Sequence, residues 1–232
     1  MATKRNVVFA NEEIYHVFNR GVERRSLFGG VREYQRFVDT LWFYRFINLP
    51  TRLSGFFSLP TAGRQACAAK LRKEHQVSVA LLAYCLMPNH FHLVVKQQGD
   101  QGISTFLANI SNSYTKYFNT KHKRVGSLLQ GPFKAVHMES DEQFLHVVRY
   151  VHLNPVTSFI IRLEELDDYP WSSHPEYLGA VTEGICERSL VEHEFPTRKT
   201  YTQFMYDQAA YTKTLASIGH LIIERAENRE QE

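Results

Sequence analysis

The strongest constraint on the fold of this 232-residue sequence is an apolar run that turns back on itself. Residues 77–87, VSVALLAYCLM, are almost wholly apolar, and Pro88 and Asn89 follow them as a turn. Residues 90–96, HFHLVVK, then resume with the period-two pattern that is typical of a strand. The sequence therefore predicts a hairpin at the centre of the fold.

Strands and helices are predicted on both sides of this hairpin. Hydrophobic periodicity and composition place strands at residues 14–20 and 133–138, and amphipathic helices at residues 31–47, 103–119 and 141–154. We expect the last helix to end near Asn154, because Pro155 disfavours helical geometry at the residue before it. Together these elements predict an α+β fold in which helices pack on an antiparallel sheet.

Two regions fall outside this core. Proline and glycine break regular structure over residues 48–63, so we expect an insertion over about 48–76 that ends in a short helix from about residue 64 to 74. We expect residues 1–160 to form one domain. Residues 161–232 should form a mostly helical extension packed on it, with a last amphipathic helix over 201–226.

The cysteines and the apolar segments indicate the compartment. Cys67, Cys85 and Cys186 are odd in number, widely spaced and without a C-x-x-C pair, which favours neither a disulfide framework nor a structural zinc site. The N-terminal residues lack the apolar stretch of a signal peptide, and no segment approaches the roughly 18 apolar residues of a membrane span. We expect a soluble cytoplasmic protein.

The formal net charge of +3 conceals an uneven distribution along the chain. Residues 1–136 carry 19 Lys and Arg against 7 Asp and Glu, whereas residues 137–232 carry 8 against 17. This segregation suggests that one surface meets a polyanion and another does not. Unevenly distributed solvated charge remains the alternative, since no repulsive run of like charge is present.

His90 and His92 are one residue apart on the second strand of the predicted hairpin. Alternate side chains of a strand share a face, so both imidazoles should project together while Phe91 points into the core. Imidazole binds divalent metals, and two such ligands leave room for a third ligand, water and substrate. A chance pair is the alternative, because the chain has 11 histidines.

The helix predicted over residues 141–154 carries a second polar set. Tyr150 and Asn154 are four residues apart and therefore share a face, with His146 one turn earlier. Taken alone, Tyr150 could equally border the apolar stripe of the helix and have only a packing role.

Basic and aromatic side chains are interleaved near the end of the helix over residues 103–119 and in the following strand. They are Lys116, Phe118, Lys121, Lys123, Arg124, Phe133 and Lys134. A second basic loop, with Arg24 and Arg25, follows the first strand. These residues are expected to bind DNA, with cations on phosphates and rings against bases. A merely solvated turn remains the alternative.

Four motifs occur in the order known from one protein family. They are MPNHFHLVV (87–95), GSLLQGPFKAV (126–136), VRYVHLNPV (148–156) and YPWSSHPEYLG (169–179). With them the chain resembles the HUH-endonuclease transposases that have one catalytic tyrosine, and within these the REP-associated tyrosine transposases. The resemblance extends from about Ile14 to about Gly179.

This resemblance implies a ferredoxin-like fold over residues 1–160 and a metal-dependent enzyme. His90 and His92 would be metal ligands, Asn154 a third, amide-bearing ligand, and Tyr150 the nucleophile. The cofactor would be a divalent metal, Mg²⁺ or Mn²⁺. The substrate would be single-stranded or hairpin DNA, cut and rejoined through a 5′-phosphotyrosine intermediate. Relatives include monomers and dimers, so a homodimer stays open.

The sequence departs from the family pattern at two places. Thr157, Ser158 and Phe159 stand where relatives usually have Arg-Ala-Gly, and Pro132 stands where an arginine is usual. We expect these changes to weaken contacts to the DNA backbone without touching the catalytic set.

Two other functions stay open. A domesticated protein could keep the fold and bind nucleic acid without cleaving it, and a metallohydrolase could use water as the nucleophile at the histidine pair. The second lacks a nearby carboxylate base, because Asp100 is the nearest acid and lies beyond the strand. Tyr114 and Tyr117 are rival nucleophiles, but their apolar helical stripe favours packing.

Overall fold

A computed structural model describes residues 7–207 of the protein. Its centre is an antiparallel sheet of four strands in the order β2-β3-β1-β4. The strands are β1 (Ile14–Arg20), β2 (Val79–Met87), β3 (His90–Gln97) and β4 (Lys134–His137). The predicted hairpin is β2 and β3, and β3 lies in the interior of the sheet between β2 and β1.

Helices occupy most of the remaining described chain. They are α1 (Val31–Tyr44), α2 (Leu53–Ser58), α3 (Thr61–Glu74), α4 (Gly102–Lys121), α5 (Asp141–Thr157), α6 (His174–Tyr177), α7 (Ser189–Glu194) and α8 (Arg198–Tyr206). The order β1-α1-β2-β3-α4-β4, with this strand order, is the ferredoxin-like arrangement, so the predicted α+β fold is confirmed. Within residues 7–207 no helix is long and apolar enough to cross a membrane.

The sheet has a separate hydrophobic core on each face. Alternation along β3 sends Phe91 and Leu93 toward α1 and α4, where they pack among residues such as Phe37. Val94 points the other way and packs against α5, next to Val147. Helices therefore cover both faces, and β3 is buried from both sides.

Helix α5 runs further than the sequence predicted. It begins where Ser140 caps it by accepting a hydrogen bond from the backbone N–H of Gln143, but it continues through Pro155 to Thr157 instead of ending near Asn154. Proline removes only one helical hydrogen bond, and Pro155 is itself buried, while the N–H of Ser158 still bonds to the carbonyl of Asn154. Burial outweighs the local preference that proline imposes on the residue before it.

Residues 48–63 are more regular than predicted. They contain α2 and the start of α3, which begins at Thr61 rather than at about residue 64. The two helices form a small core of their own with the end of α1, in which Phe43 packs on Phe56 with ring centroids 5.4 Å apart. Tertiary burial of these aromatic rings stabilises helices that proline and glycine would otherwise disfavour.

The segment after α5 returns to the outer edge of β2. The N–H of Leu86 donates to the carbonyl of Trp171 at 2.8 Å, and the N–H of Ser173 donates to the carbonyl of Tyr84 at 2.9 Å. These bonds satisfy backbone groups that an open sheet edge would leave exposed. The predicted helix over residues 201–226 appears in part as α8, and its residues 208–226 lie outside the described part of the chain.

A buried polar network joins α5, the segment after α5 and α8. The His152 ring contacts the Ser173 hydroxyl at 2.7 Å through Nε2 and the Tyr201 hydroxyl at 2.9 Å through Nδ1. The Tyr201 hydroxyl also contacts Nδ1 of His174 at 2.9 Å, and Nε2 of His174 contacts Asp167 at 3.0 Å. The network fixes the segment after α5 against the sheet.

Removing the hydroxyl of Tyr201 should destabilise the protein. In the Tyr201→Phe variant two buried imidazole nitrogens lose a partner, which should lower the free energy of unfolding by about 1–3 kcal/mol, measured by urea denaturation. Tyr117→Phe is the matched control, because no hydrogen bond of that hydroxyl occurs within the described chain. Equal stability of the two variants would contradict a stabilising role for the network.

The same network should make the protein less stable in mild acid. Burial lowers the pKa of His152 well below its ordinary value and also lowers the pKa of His174, so the unfolded chain binds protons near pH 6.5 that the folded protein does not. The free energy of unfolding should therefore fall from pH 7.5 to 5.5, by up to about 1.4 kcal/mol for His152. His152→Gln should flatten this dependence, and the exposed control His193→Gln should not. A slope unchanged by His152→Gln would count against this origin.

Candidate active site

His90 and His92 lie on the face of the sheet that α5 covers. Their ring centroids are 5.2 Å apart, and the His92 ring lies 5.4 Å from the ring of Tyr150 on α5, edge-on. Phe91 points to the opposite face, among the residues of α1 and α4. The strand and the helix thus bring both histidines and the tyrosine together.

Asn154, one helical turn after Tyr150, reaches the first of these histidines. Its side-chain oxygen Oδ1 lies 3.3 Å from Nε2 of His90, and Nδ1 of His90 contacts Oδ1 of Asn89 at 2.8 Å. The turn residue Asn89 therefore holds one side of the His90 ring, while the other side faces α5. The four-residue spacing of Tyr150 and Asn154 places both on the surface of α5 that faces β3.

His92 is held by a residue that the sequence analysis did not single out. Nδ1 of His92 lies 2.9 Å from Nε2 of His16 on β1, and the two rings are stacked with centroids 5.1 Å apart. Burial, together with the nearby imidazoles of His16 and His90, lowers the pKa of His92 well below its ordinary value. His92 is therefore neutral, which is the form of imidazole that ligates metals.

The donor set suits a divalent cation. Nε2 of His92 is buried and has no hydrogen-bond partner within residues 7–207, and a buried polar atom of this kind is rare without a functional reason. The described chain has no cluster of three or more His, Cys, Asp or Glu that could hold a metal. Any metal here would therefore depend on two imidazoles and the Asn154 amide oxygen, leaving most of the coordination shell open.

Tyr150 is almost completely buried. Only 2% of its surface is exposed, and its ring contacts the edges of the His92 and His16 rings, the latter with centroids 6.1 Å apart. The preceding residue, Arg149, is fully buried, and its guanidinium donates to the Phe204 carbonyl of α8 at 2.9 Å. Helix α5 is thus fixed from both sides, and a substrate reaches the Tyr150 hydroxyl only if part of this packing moves.

Strand pairing adds two residues that sequence reasoning missed. In the register of β1 and β3, Phe18 lies opposite His92 and Arg20 lies opposite His90. Opposite residues share a face, so Phe18 and Arg20 belong to the surface of the histidine pair, as His16 does. The alternation of IYHVFNR shows which side chains of β1 share a face. That this face is the one with the histidine pair becomes known only once β1 is seen to lie beside β3.

The predicted DNA-binding loop with Arg24 and Arg25 lies at the His90 end of the sheet. The backbone N–H of Gly21 donates to the carbonyl of Asn89 at 2.8 Å, and that of Leu27 donates to the carbonyl of Pro88 at 2.7 Å. Both ends of the loop are thereby bound to the turn between β2 and β3. Arg24 is exposed and Arg25 is partly exposed near the candidate active site.

The other predicted DNA-binding residues are divided between the two faces of the molecule. Lys134 lies opposite Phe18 in the pairing of β1 with β4, which puts it on the face of the histidines. Phe133 packs on Phe91, on the opposite face, with ring centroids 5.9 Å apart. Lys116 lies on α4, which also covers that opposite face. The basic and aromatic residues that the sequence groups together therefore lie on two separate surfaces.

The residues at the end of α4 make more contacts within the protein than the sequence suggested. Lys121 forms an ion pair at 2.7 Å with Glu33, whose side chain is 1% exposed, and Arg124 bonds to Asn119 at 2.7 Å. Phe118 is 6% exposed and packs against His122, so its ring is not available for stacking on a base. Lys123 is exposed in the turn. A DNA-binding surface here would use the cations and not the Phe118 ring.

Comparison with protein families supports the resemblance that the four motifs indicated. The family model described as "Transposase IS200 like" matches residues 62–154. This segment contains both histidines, Tyr150 and Asn154, but begins inside α3 and leaves out β1 and α1. A search of curated proteins finds no match to this chain.

The fold has a relative among solved structures. A REP-associated tyrosine transposase bound to a REP hairpin superposes with a TM-score of 0.53, over 80% of this chain and 90% of that one. The aligned residues are 14% identical. The resemblance to the REP-associated tyrosine transposases is confirmed.

Proposed function

Because the chain resembles the IS200-like transposases in sequence and a REP-associated tyrosine transposase in fold, we propose that it is a DNA endonuclease and strand transferase with Tyr150 as nucleophile. The observation that carries this proposal is the packing of the Tyr150 ring on His92, beside His90 and Asn154. A tyrosine with only a packing role needs no such polar neighbours. Their convergence on one buried face favours chemistry at the phenol.

The proposed reaction exchanges one phosphoester bond for another. The Tyr150 hydroxyl loses its proton to solvent or a side chain as its oxygen attacks phosphorus. The bond between phosphorus and the 3′ oxygen breaks, and that oxygen takes up a proton and leaves as a free hydroxyl. The DNA stays attached through a 5′-phosphotyrosine. Attack by another 3′-hydroxyl reverses the exchange and releases the tyrosine. Bond energies nearly balance, so cutting and rejoining need no external energy source.

His90, His92 and the amide oxygen of Asn154 would hold a divalent cation, Mg²⁺ or Mn²⁺. When bound there it supplies positive charge that neutralises a non-bridging phosphate oxygen and polarises phosphorus. His16 would position His92 through the bond between Nε2 and Nδ1, as outer residues commonly orient metal-binding histidines. The buried, neutral His92 ring keeps a lone pair for coordination.

The proposed substrate is DNA with a single-stranded portion at the nucleophile. Arg20 and Lys134 flank the histidine pair on the same face, and the basic loop with Arg24 and Arg25 lies at its end, so these cations are placed to bind phosphates on either side of the cut. The solved relative is itself bound to a REP hairpin, which favours hairpin DNA. We propose that this chain cuts in the single-stranded flank of such a hairpin.

Replacing Tyr150 by phenylalanine should abolish covalent attachment and cleavage while leaving fold and DNA affinity intact, because only the attacking oxygen is removed. The measurement is a denaturing gel of labelled single-stranded oligonucleotides incubated with Mn²⁺. Tyr114→Phe is the matched control, since the Tyr114 hydroxyl donates to the Leu27 carbonyl at 2.6 Å on the other side of the sheet. That variant should lose stability but keep the adduct.

The same gel separates the competing functions. An adduct that persists in Tyr150→Phe would show that another residue is the nucleophile. Cleavage by the unmodified protein without an adduct would favour a metallohydrolase that uses water. Binding with neither cleavage nor adduct would favour a domesticated nucleic-acid-binding protein.

Replacing His16 should weaken metal binding even in the absence of DNA. His16→Ala removes the contact that orients His92, so Mn²⁺ affinity measured by calorimetry should fall by about 10- to 100-fold, and His16→Gln should restore part of it. His137→Ala, on the edge strand β4, is the control and should leave Mn²⁺ affinity unchanged. An unaltered Mn²⁺ affinity in His16→Ala would refute the positioning role.

A further inference from the structure

Phe159, the second residue after helix α5, exposes its ring to solvent. Its exposed fraction is 95%, whereas every other phenylalanine, tyrosine and tryptophan within residues 7–207 is at least partly buried. A ring in water forgoes the free energy that burying its apolar surface would release. Packing within the described chain therefore does not account for this side chain.

The backbone at Phe159 is also in a conformation that favours glycine. Its φ angle is 56°, in the left-handed region, where a side chain costs free energy. Two hydrogen bonds close α5 and hold this conformation: the N–H of Phe159 donates to the Val156 carbonyl at 3.0 Å, and the N–H of Ile160 donates to the Pro155 carbonyl at 2.9 Å. A phenylalanine here is thus unfavourable for the fold in two respects, and residues in such conformations are concentrated at functional sites.

This position adjoins the candidate active site. Tyr150, Asn154 and Ser158 are spaced at four residues, so they share one side of α5. Oγ of Ser158 lies 3.4 Å from Oδ1 of Asn154, which in turn lies 3.3 Å from Nε2 of His90. Successive Cα atoms are about 3.8 Å apart, so Phe159 stands one residue from this contact. The ring is therefore close enough to contact a nucleotide next to one held at the candidate active site.

The electrostatics of this helix end suit a base better than a phosphate. The carbonyls at the C-terminus of a helix carry partial negative charge, and the last turn of α5 contains no lysine or arginine. The next arginine along the chain, Arg162, forms an ion pair with Glu165 at 3.4 Å. A phosphate would be repelled here, whereas the uncharged face of a base can stack on an aromatic ring.

From these observations we infer that the Phe159 ring stacks on an unpaired base of the DNA strand at the candidate active site, next to the bond that would be cut. A regular duplex keeps its bases stacked on one another, so the ring binds only a base that is unpaired. The inference rests on the proposed function for the position of the cut. Stacking on an unpaired base is itself independent of cleavage.

The test compares two substitutions of Phe159 in the full chain. Phe159→Gly removes the ring and suits the left-handed backbone, whereas Phe159→Trp keeps a ring that can stack. The control is Leu190→Ala, which removes an exposed apolar side chain from α7. Fluorescence anisotropy would measure binding to two probes: a labelled single strand without self-complementarity, and a strand of the same length in which every base is replaced by an abasic site.

In Phe159→Gly the Kd for the strand with bases should rise by about tenfold, which corresponds to the loss of stacking on one base. The Kd for the abasic strand should stay within about twofold of the unmodified protein, because the contacts to phosphates are unchanged. Phe159→Trp and Leu190→Ala should bind both strands like the unmodified protein. The urea midpoint of Phe159→Gly should not fall, since glycine adopts the left-handed conformation without a steric cost.

Four results would overturn the inference: unchanged affinity of Phe159→Gly for the strand with bases, an equal loss for the abasic strand, an equal loss in Leu190→Ala, or the same loss in Phe159→Trp. Self-association of the unmodified protein that Phe159→Gly abolishes, with DNA affinity unchanged, would instead assign the ring to a second copy of the chain.

Failure of this inference is distinguishable from failure of the proposed function. If Phe159→Gly loses affinity only for the strand with bases but the unmodified protein never cuts DNA, the stacking role stands and the proposed nuclease function fails. If the unmodified protein forms the Tyr150 adduct and Phe159→Gly binds both strands equally well, only the role of Phe159 is wrong.

Discussion

The period-two alternation of β3 is the constraint on which the rest of the structure depends. This strand lies in the interior of the sheet, so each of its side chains must enter one of two cores. Phe91 and Leu93 enter the core under α1 and α4, while His92 is forced into the opposite core against α5. A shift of register by one residue would exchange the faces and bury the imidazoles among apolar side chains without partners. The register of the hairpin therefore also determines on which face of the sheet the two histidines lie.

The burial of His92 and Tyr150 has consequences for both chemistry and motion. Burying a neutral imidazole costs little free energy only if its ring nitrogens have hydrogen-bond partners. For His92, His16 is the partner of Nδ1. The other nitrogen, Nε2, is buried and has no hydrogen-bond partner within residues 7–207. Helix α5 is held from behind by α8, through the Arg149 contact to the Phe204 carbonyl and the stacking of that guanidinium on the Phe204 ring at 4.5 Å. The segment after α5 thus determines how firmly the proposed nucleophile is held, although it lies outside the part of the chain that matches the transposase family.

Several elements could be predicted from sequence because their signals are local. The apolar run of β2, the alternation of β3 and the apolar stripe of α4 depend only on residues that are close in sequence. The predicted bounds of these elements agree with the structure to within a few residues. The failures occurred where burial outweighed a local preference. Helix α5 passes through Pro155 because the proline packs in the core, and α2 forms in a segment containing Gly55 because Phe56 is buried. Phe118 seemed available for stacking on bases, but it is 6% exposed.

The sequence by itself determined the set of chemical groups: two histidines on one strand face, and a tyrosine and an asparagine on one helix face. These relations are fixed by the periods of the strand and the helix, which need no knowledge of the fold. Only the tertiary structure decided which groups meet across elements. It placed His16 on His92 and Arg20 opposite His90. It also separated Lys134 from Lys116 onto different faces of the molecule. Pairing between β1 and β3 joins residues 70 or more positions apart, and no local pattern encodes that contact.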